Sequence, residues 1–175
     1  MRYIALLRGI NVAGQKLIKM DALKLHFEMP GFSNIVTYIQ SGNVLFDTKE
    51  TDTSKLCKKV EKQLATKLGY EVPVVIRSLD EIQTAIKNNP FTKLKENDAR
   101  KLYIVYLSGT PSAEALESLK QYASDTEELR LVQRELYIVT EGIGNSKLTL
   151  NVIEKKLGVT GTMRNLATSN KILTM

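Results

Sequence analysis

The feature that most constrains this chain is a repeat of order: short β-rich apolar runs and helix-periodic stretches come in the order βαββαβ, and then in that order again. In the first copy, residues 2 to 8 alternate and are rich in strand formers, and Gly9 through Lys16 break the pattern. Met20, Leu23 and Phe27 then recur at helical spacing up to Pro30-Gly31. Asn34 to Gln40 and Asn43 to Asp47 predict a hairpin across Ser41-Gly42, a two-residue connection in which glycine supplies positive φ. Thr51, Asp52 or Thr53 caps the next helix, whose stripe is Leu56, Val60, Leu64 and Leu68. Gly69-Tyr70 releases the chain into a strand over 72–77.

Ser78-Leu79-Asp80-Glu81 has the form of a capping box and opens a short helix that Asn89-Pro90-Phe91 closes. Strand, helix, strand pair, helix and strand follow: Lys101 to Leu107, about Ser112 to Ser124, Leu129 to Val132 with Leu136 to Val139 around Arg134, a helix carrying Leu148, Leu150, Ile153 and Leu157, and Val159 to Met163. A terminal helix ends the chain. Two copies of this order predict an α+β protein of duplicated ferredoxin-like halves, each an antiparallel sheet with helices on one face. The expected division is 1–90 for the first half with its trailing helix, 91–100 as a polar linker, and 101–175 for the second half.

If Gln40 and Asn43 flank a two-residue turn they pair across it. Tyr38, Gln40, Asn43 and Leu45 then share one face, and Ile39, Val44 and Phe46 the other. The second set reads as core, whereas the first suits a face that meets the other half or a ligand. At 175 residues and 43% hydrophobic content the chain can bury such cores. No apolar run is long enough to span a membrane and the start is too quickly interrupted for a signal peptide, so a cytoplasmic protein without membrane attachment is expected. The single cysteine, Cys57, falls on the apolar stripe of its helix. The single histidine, His26, flanks another stripe with no cysteine or carboxylate pair beside it, which argues against metal sites and hydrolytic triads. Nothing calls for a cofactor. The oligomeric state has no signature here.

Two polar knots are attached directly to apolar runs, Arg8-Gly9-Ile10-Asn11 and Gln40-Ser41-Gly42-Asn43. They hold neutral and cationic hydrogen-bonding groups but no acid, base or nucleophile with a recognisable partner, so they point to binding and name no reaction. The glycines of Gly9-Ile10-Asn11-Val12-Ala13-Gly14-Gln15-Lys16 have the spacing of a P-loop. Gln15 then stands where the lysine belongs, and Lys16-Leu17 replaces the magnesium-binding hydroxyl. Anion binding by backbone N–H groups and Lys16 survives that failure, beside the plainer reading of a structural loop in which Asn11 satisfies the backbone. Gly142-Ile143-Gly144-Asn145-Ser146-Lys147 admits the same pair of readings: a second anion cradle using Ser146 and Lys147, or a helix N-cap at Asn145 or Ser146. Arg164-Asn165 opens the terminal helix, where a cation is unfavourable unless an anion sits nearby. With Arg8 it supplies two arginines able to clamp one anionic group, given that the halves bring their strand ends together.

Arg2 to Val12, Lys19-Met20 and Thr37-Tyr38-Ile39-Gln40-Ser41-Gly42-Asn43-Val44 together resemble the signature of the bacterial domain of unknown function 1697 (DUF1697) family. Gly144 to Thr149 and Thr162 to Asn165 resemble its C-terminal motifs. The resemblance covers nearly the whole chain. It implies a two-part α/β protein of ferredoxin-like character, and no established activity. The family has Gly at the position of Ala13, Arg at that of Asn145 and Trp-Asn at that of Leu166-Ala167, so a site built on that arginine or tryptophan is weakened here.

Three functions fit these residues. The first is binding of a small anionic or phosphorylated ligand between the halves by Arg8, Asn11, Lys16, Gln40, Ser41, Asn43, Ser146, Lys147, Arg164 and Asn165, in keeping with a net charge of +6. The second is a single-stranded nucleic-acid module stacking bases on Tyr3, Tyr38, Tyr103, Tyr106 and Tyr137, although the aromatic signature strand of RNA-recognition modules is missing. The third is a protein-interaction scaffold whose polar knots hold the halves together.

Overall fold

The computed structural model of the chain describes residues 1–12, 14–94 and 100–175. Ala13 and the middle of the expected linker, 95–99, lie outside them. The first alternating run forms β1 (Arg2–Leu7), and the helical spacing after it forms α1 (Met20–His26). β2 (Phe32–Tyr38), β3 (Asn43–Thr48), α2 (Thr53–Leu68), β4 (Val74–Ser78) and α3 (Leu79–Lys87) follow. Asp52 caps α2, its carboxylate accepting from the Ser54 and Lys55 N–H groups. Gly69, at φ 75°, ends that helix in the left-handed conformation that glycine adopts without strain. Ser78 and Glu81 bond reciprocally at 2.8 and 3.1 Å, the capping box expected at the start of α3.

The second copy comprises β5 (Lys101–Leu107), α4 (Ala113–Lys120), β6 (Glu128–Val132), β7 (Glu135–Thr140), α5 (Leu150–Leu157), β8 (Gly161–Asn165) and a terminal α6 (Leu166–Leu173). The sheets have the orders β2-β3-β1-β4 and β6-β7-β5-β8, antiparallel throughout. This is the split-βαβ arrangement, made twice. The chain divides into two units, Met1–Ile82 and Gln83–Met175.

In the first unit, Tyr3, Ala5, Leu7, Val44 and Phe46 point to the helical side and are buried with Leu23 and Phe27 of the α1 segment and Leu56, Val60 and Leu64 of α2. The Leu, Val and Phe side chains among them each contribute about 1.5–3 kcal/mol on burial. In the second, Val105, Leu107, Leu136 and Ile138 pack with Leu119, Leu148, Ile153 and Leu157. The other face of this sheet is covered too. Tyr106 Oη bonds Ser169 Oγ of α6 at 3.0 Å, and Tyr137 Oη donates to the Ala85 carbonyl of α3 at 2.6 Å. The trailing helices thus add a second layer to the one-sided arrangement of the repeat itself.

Two local expectations are corrected. The β2–β3 hairpin is not a two-residue turn: Tyr38 pairs with Asn43, leaving Ile39 to Gly42 as a four-residue connection. Gln40 therefore lies on neither strand face, and Ile39, expected in the core, is 42% exposed. The reason is tertiary. Gly42 at φ 76° lies against Ile10 and Leu7, and its carbonyl accepts the Leu7 N–H at 2.8 Å, so the glycine serves a long-range contact rather than a tight turn. The last strand runs over Gly161–Asn165 instead of 159–163, because Gly158 ends α5 and the Gly161 N–H is taken by Glu154 Oε1 at 2.8 Å.

Candidate functional site

The two polar knots of the first unit meet at one end of its sheet. Asn11, at φ 53°, donates from Nδ2 to the Ile18 carbonyl at 3.0 Å and to the Gln40 carbonyl at 2.8 Å, while its Oδ1 accepts the Ile18 N–H at 2.8 Å. One side chain thereby fixes the β1–α1 loop to itself and to the β2–β3 connection. Asn43 is fully buried; its Nδ2 donates to the Tyr38 carbonyl at 2.9 Å and to Ser41 Oγ at 3.1 Å. Both amides serve the main chain, so they shape this end of the sheet rather than project from it. Arg8 is half-buried where the strand ends, its N–H bonded to the Pro73 carbonyl at 3.0 Å. Lys16 extends across the surface, with Nζ 3.0 Å from the Glu71 carbonyl and 5.1 Å from the Tyr70 ring centroid.

The second unit shows how little of this the fold requires. Its β5–α4 connection is 108–112 against 8–19 for β1–α1, and its β6–β7 turn is 133–134 against 39–42. The comparison is between equivalent places, because Leu7 N–H donates to Gly42 and Leu107 N–H to Arg134, at 2.8 and 3.0 Å. Two connections at the same end of the first sheet are therefore longer than their counterparts in the second. Residues 8–20 and 36–46 contain Arg8, Lys16 and Lys19 and no Asp or Glu, and the adjoining 69–73 connection adds Glu71, so this end carries a net cationic excess.

The remaining expected residues lie in the second unit. Ser146 and Lys147 line a surface cavity, but α5 starts at Leu150 with Thr149 as its cap, so neither Asn145 nor Ser146 stands at that helix start. Ser146 Oγ instead accepts the Leu148 N–H at 2.9 Å, and Lys147 is exposed. Arg164 belongs to β8, paired with Ile104, and is buried; its Nη1 donates to Thr162 Oγ1 at 2.7 Å and to the Met163 carbonyl at 2.8 Å. Burial lowers its pKa to about 10, so it stays charged near neutrality. Asn165 caps α6, its Oδ1 accepting the Thr168 N–H at 2.8 Å.

Reading the residues one run at a time misses Arg77. It is paired with Ile4 as Arg164 is with Ile104, is also buried, and also donates to the carbonyl of the preceding residue, at 3.2 Å. Aligning the two copies would have found it, since each arginine precedes the cap of a trailing helix. Among the described residues no three His, Cys, Asp or Glu side chains converge as a metal ion would require, and no helix is long and apolar enough to cross a membrane. What these groups can do is recognise: cations and fixed main-chain geometry at one end of the first sheet, hydroxyls and carboxylates in the cavity of the second.

Comparison with known proteins supplies a fold and a family. The chain is similar to a solved structure, the conserved bacterial protein SP0830 from Streptococcus pneumoniae, at 23% identity and a TM-score of 0.78, over 99% of this chain and 97% of that one. At that identity the likeness speaks for the fold alone. No curated protein matches. A family model described as "Protein of unknown function (DUF1697)" matches residues 1–137, which takes in both knots and ends at Tyr137, before the motifs at 144–149 and 162–165. With the match extending over more than half of its length, the chain belongs to the DUF1697 family.

Proposed function

We propose that this protein is a cytoplasmic binder of a small phosphate-bearing ligand, held at the lengthened loop end of the first unit by Arg8 and Lys16. The observation that carries the reading is the internal comparison. The second unit closes the same two connections with residues 108–112 and 133–134, so the length at 8–19 and 39–42, beyond the part that Ile10 and Gly42 pack into the core, is available for binding. That length is cationic, and Asn11 ties it to Ile18 and to the Gln40 carbonyl, which lowers the ordering cost of binding. Asn11, Asn43 and Ser41 act as positioning residues in this reading, and Gln40 offers the exposed polar side chain beside them.

The test is a thermal-shift titration with inorganic pyrophosphate and nucleoside phosphates at low and physiological salt. Stabilisation is expected, falling with salt and reduced at least severalfold in apparent affinity in Arg8→Ala and in Lys16→Ala. Identical titration curves for both variants and the parent would overturn it.

An acidic protein partner on the same end is the second reading, favoured by Val12, Leu17 and Ile39, which are exposed beside the cations. The nucleic-acid reading loses ground because Tyr3, Tyr106 and Tyr137 are almost completely buried and offer no stacking surface.

A further inference from the structure

The second sheet carries the counterpart expansion at the end where β7 finishes and β6 begins. Residues 141–149 join β7 to α5 where 49–52 suffice between β3 and α2, and 121–127 join α4 to β6 where 27–31 serve between α1 and β2. A shared detail marks the places as equivalent. Thr48 Oγ1 accepts the N–H of Glu50 at 3.3 Å, and Thr140 Oγ1 accepts that of Gly142 at 3.3 Å. The added residues enclose a cavity of about 500 Å³ whose lining includes Tyr122, Ser124, Glu127, Thr140, Ser146 and Lys147. That volume lies in the range of small-molecule sites.

We propose that this cup is a second binding site, chemically distinct from the cationic end of the first unit, and that it takes a neutral polyhydroxylated ligand, a sugar or sugar-like polyol. Ser124, Thr126, Thr140 and Ser146 place four hydroxyl oxygens in its wall, and Gln121 and Asn145 add amides that both donate and accept. Glu127 accepts only. Its Oε2 takes the Ser124 N–H at 2.9 Å. Burial pushes its pKa up, but that N–H and the hydroxyls of Ser146, Thr140 and Ser124 outweigh burial and hold the carboxyl below its ordinary range. The carboxylate orients these hydroxyls, whose oxygens keep lone pairs for neighbouring ligand hydroxyls to donate to, while Lys147 in the lining donates to the ligand's oxygens. A phosphate would meet Glu127 and Glu141, and an ammonium would meet Lys147. Tyr122 adds an aromatic surface with Lys156 Nζ 4.8 Å from its ring centroid.

The experiment is an amide chemical-shift titration of the isotopically labelled full chain with glucose, ribose and glycerol, and separately with inorganic phosphate and putrescine. Saturable shifts at Ser124, Glu127, Gly142 and Ser146 are expected with at least one sugar. Glu127→Gln, which keeps an acceptor for the Ser124 N–H, is expected to weaken binding by about tenfold or more while the rest of the spectrum stays in place. Tyr122→Ala at the rim provides a second variant and is expected to weaken it as well. Saturation of these amides by phosphate or putrescine, no response to any of the three polyols, or full affinity in both variants would overturn the proposal.

Discussion

At Gly42 an added Cβ would lie 2.6 Å from Ile10 Cδ1 and 2.8 Å from Leu7 Cβ, with the backbone at φ 76°. Both neighbours are core side chains of the first unit, so neither can move aside cheaply. Gly42→Ala is expected to destabilise the protein by about 1–3 kcal/mol in denaturant unfolding, from strain and overpacking together. Asn43→Ala removes the donor that satisfies the Tyr38 carbonyl inside the sheet end, and a loss of similar size, about 1–3 kcal/mol, is expected from the same measurement. Glu127 sets a pH dependence whose sign is fixed. Its folded pKa lies below the unfolded one, so its contribution is complete above the ordinary carboxylate range and disappears as pH falls through the folded value. Thermal midpoints measured down an acid series are therefore expected to fall less steeply in Glu127→Gln than in the parent.

Elements whose ends are fixed locally were legible in the chain. The capping box of α3 and the cap of α2 form as their residue types dictate, and Asp52→Ala is expected to cost about 1 kcal/mol in thermal or denaturant unfolding. The β2–β3 connection was not legible, because its length is set by Leu7 and Ile10, which lie some thirty residues away in sequence. Candidate site residues divide in the same way. That Asn11 and Gln40 belong together followed from their places at strand ends, but the Asn11 amide goes to carbonyls that no sequence pattern marks. Glu127 meets Ser124 three residues before it, a local contact, but only the end of β7 brings Thr140 to it.

Across the whole molecule the duplication is exact enough to compare residue with residue. Arg77 and Arg164 occupy one position, Thr48 and Thr140 another, and in each unit a helix glutamate, Glu61 or Glu154, accepts the first N–H of the last strand at 2.9 or 2.8 Å. Each unit can therefore serve as the template for editing the other. Replacing residues 8–19 with the shorter 108–112 connection is expected to leave a protein that still unfolds cooperatively, at lower stability for the loss of the buried Ile10, and that has lost its response to pyrophosphate, checked by circular dichroism and thermal shift.

The long connections fall at opposite ends of their own sheets, 8–19 with 39–42 in the first and 121–127 with 141–149 in the second. Strand registers between those ends are held by ladder hydrogen bonds common to both copies. Insertions and deletions can therefore accumulate in one recognition surface without shifting a single strand pair beneath the other. After duplication, the two surfaces were free to drift toward different ligands at independent rates, and relatives of this chain are expected to vary in length at one end while keeping the other.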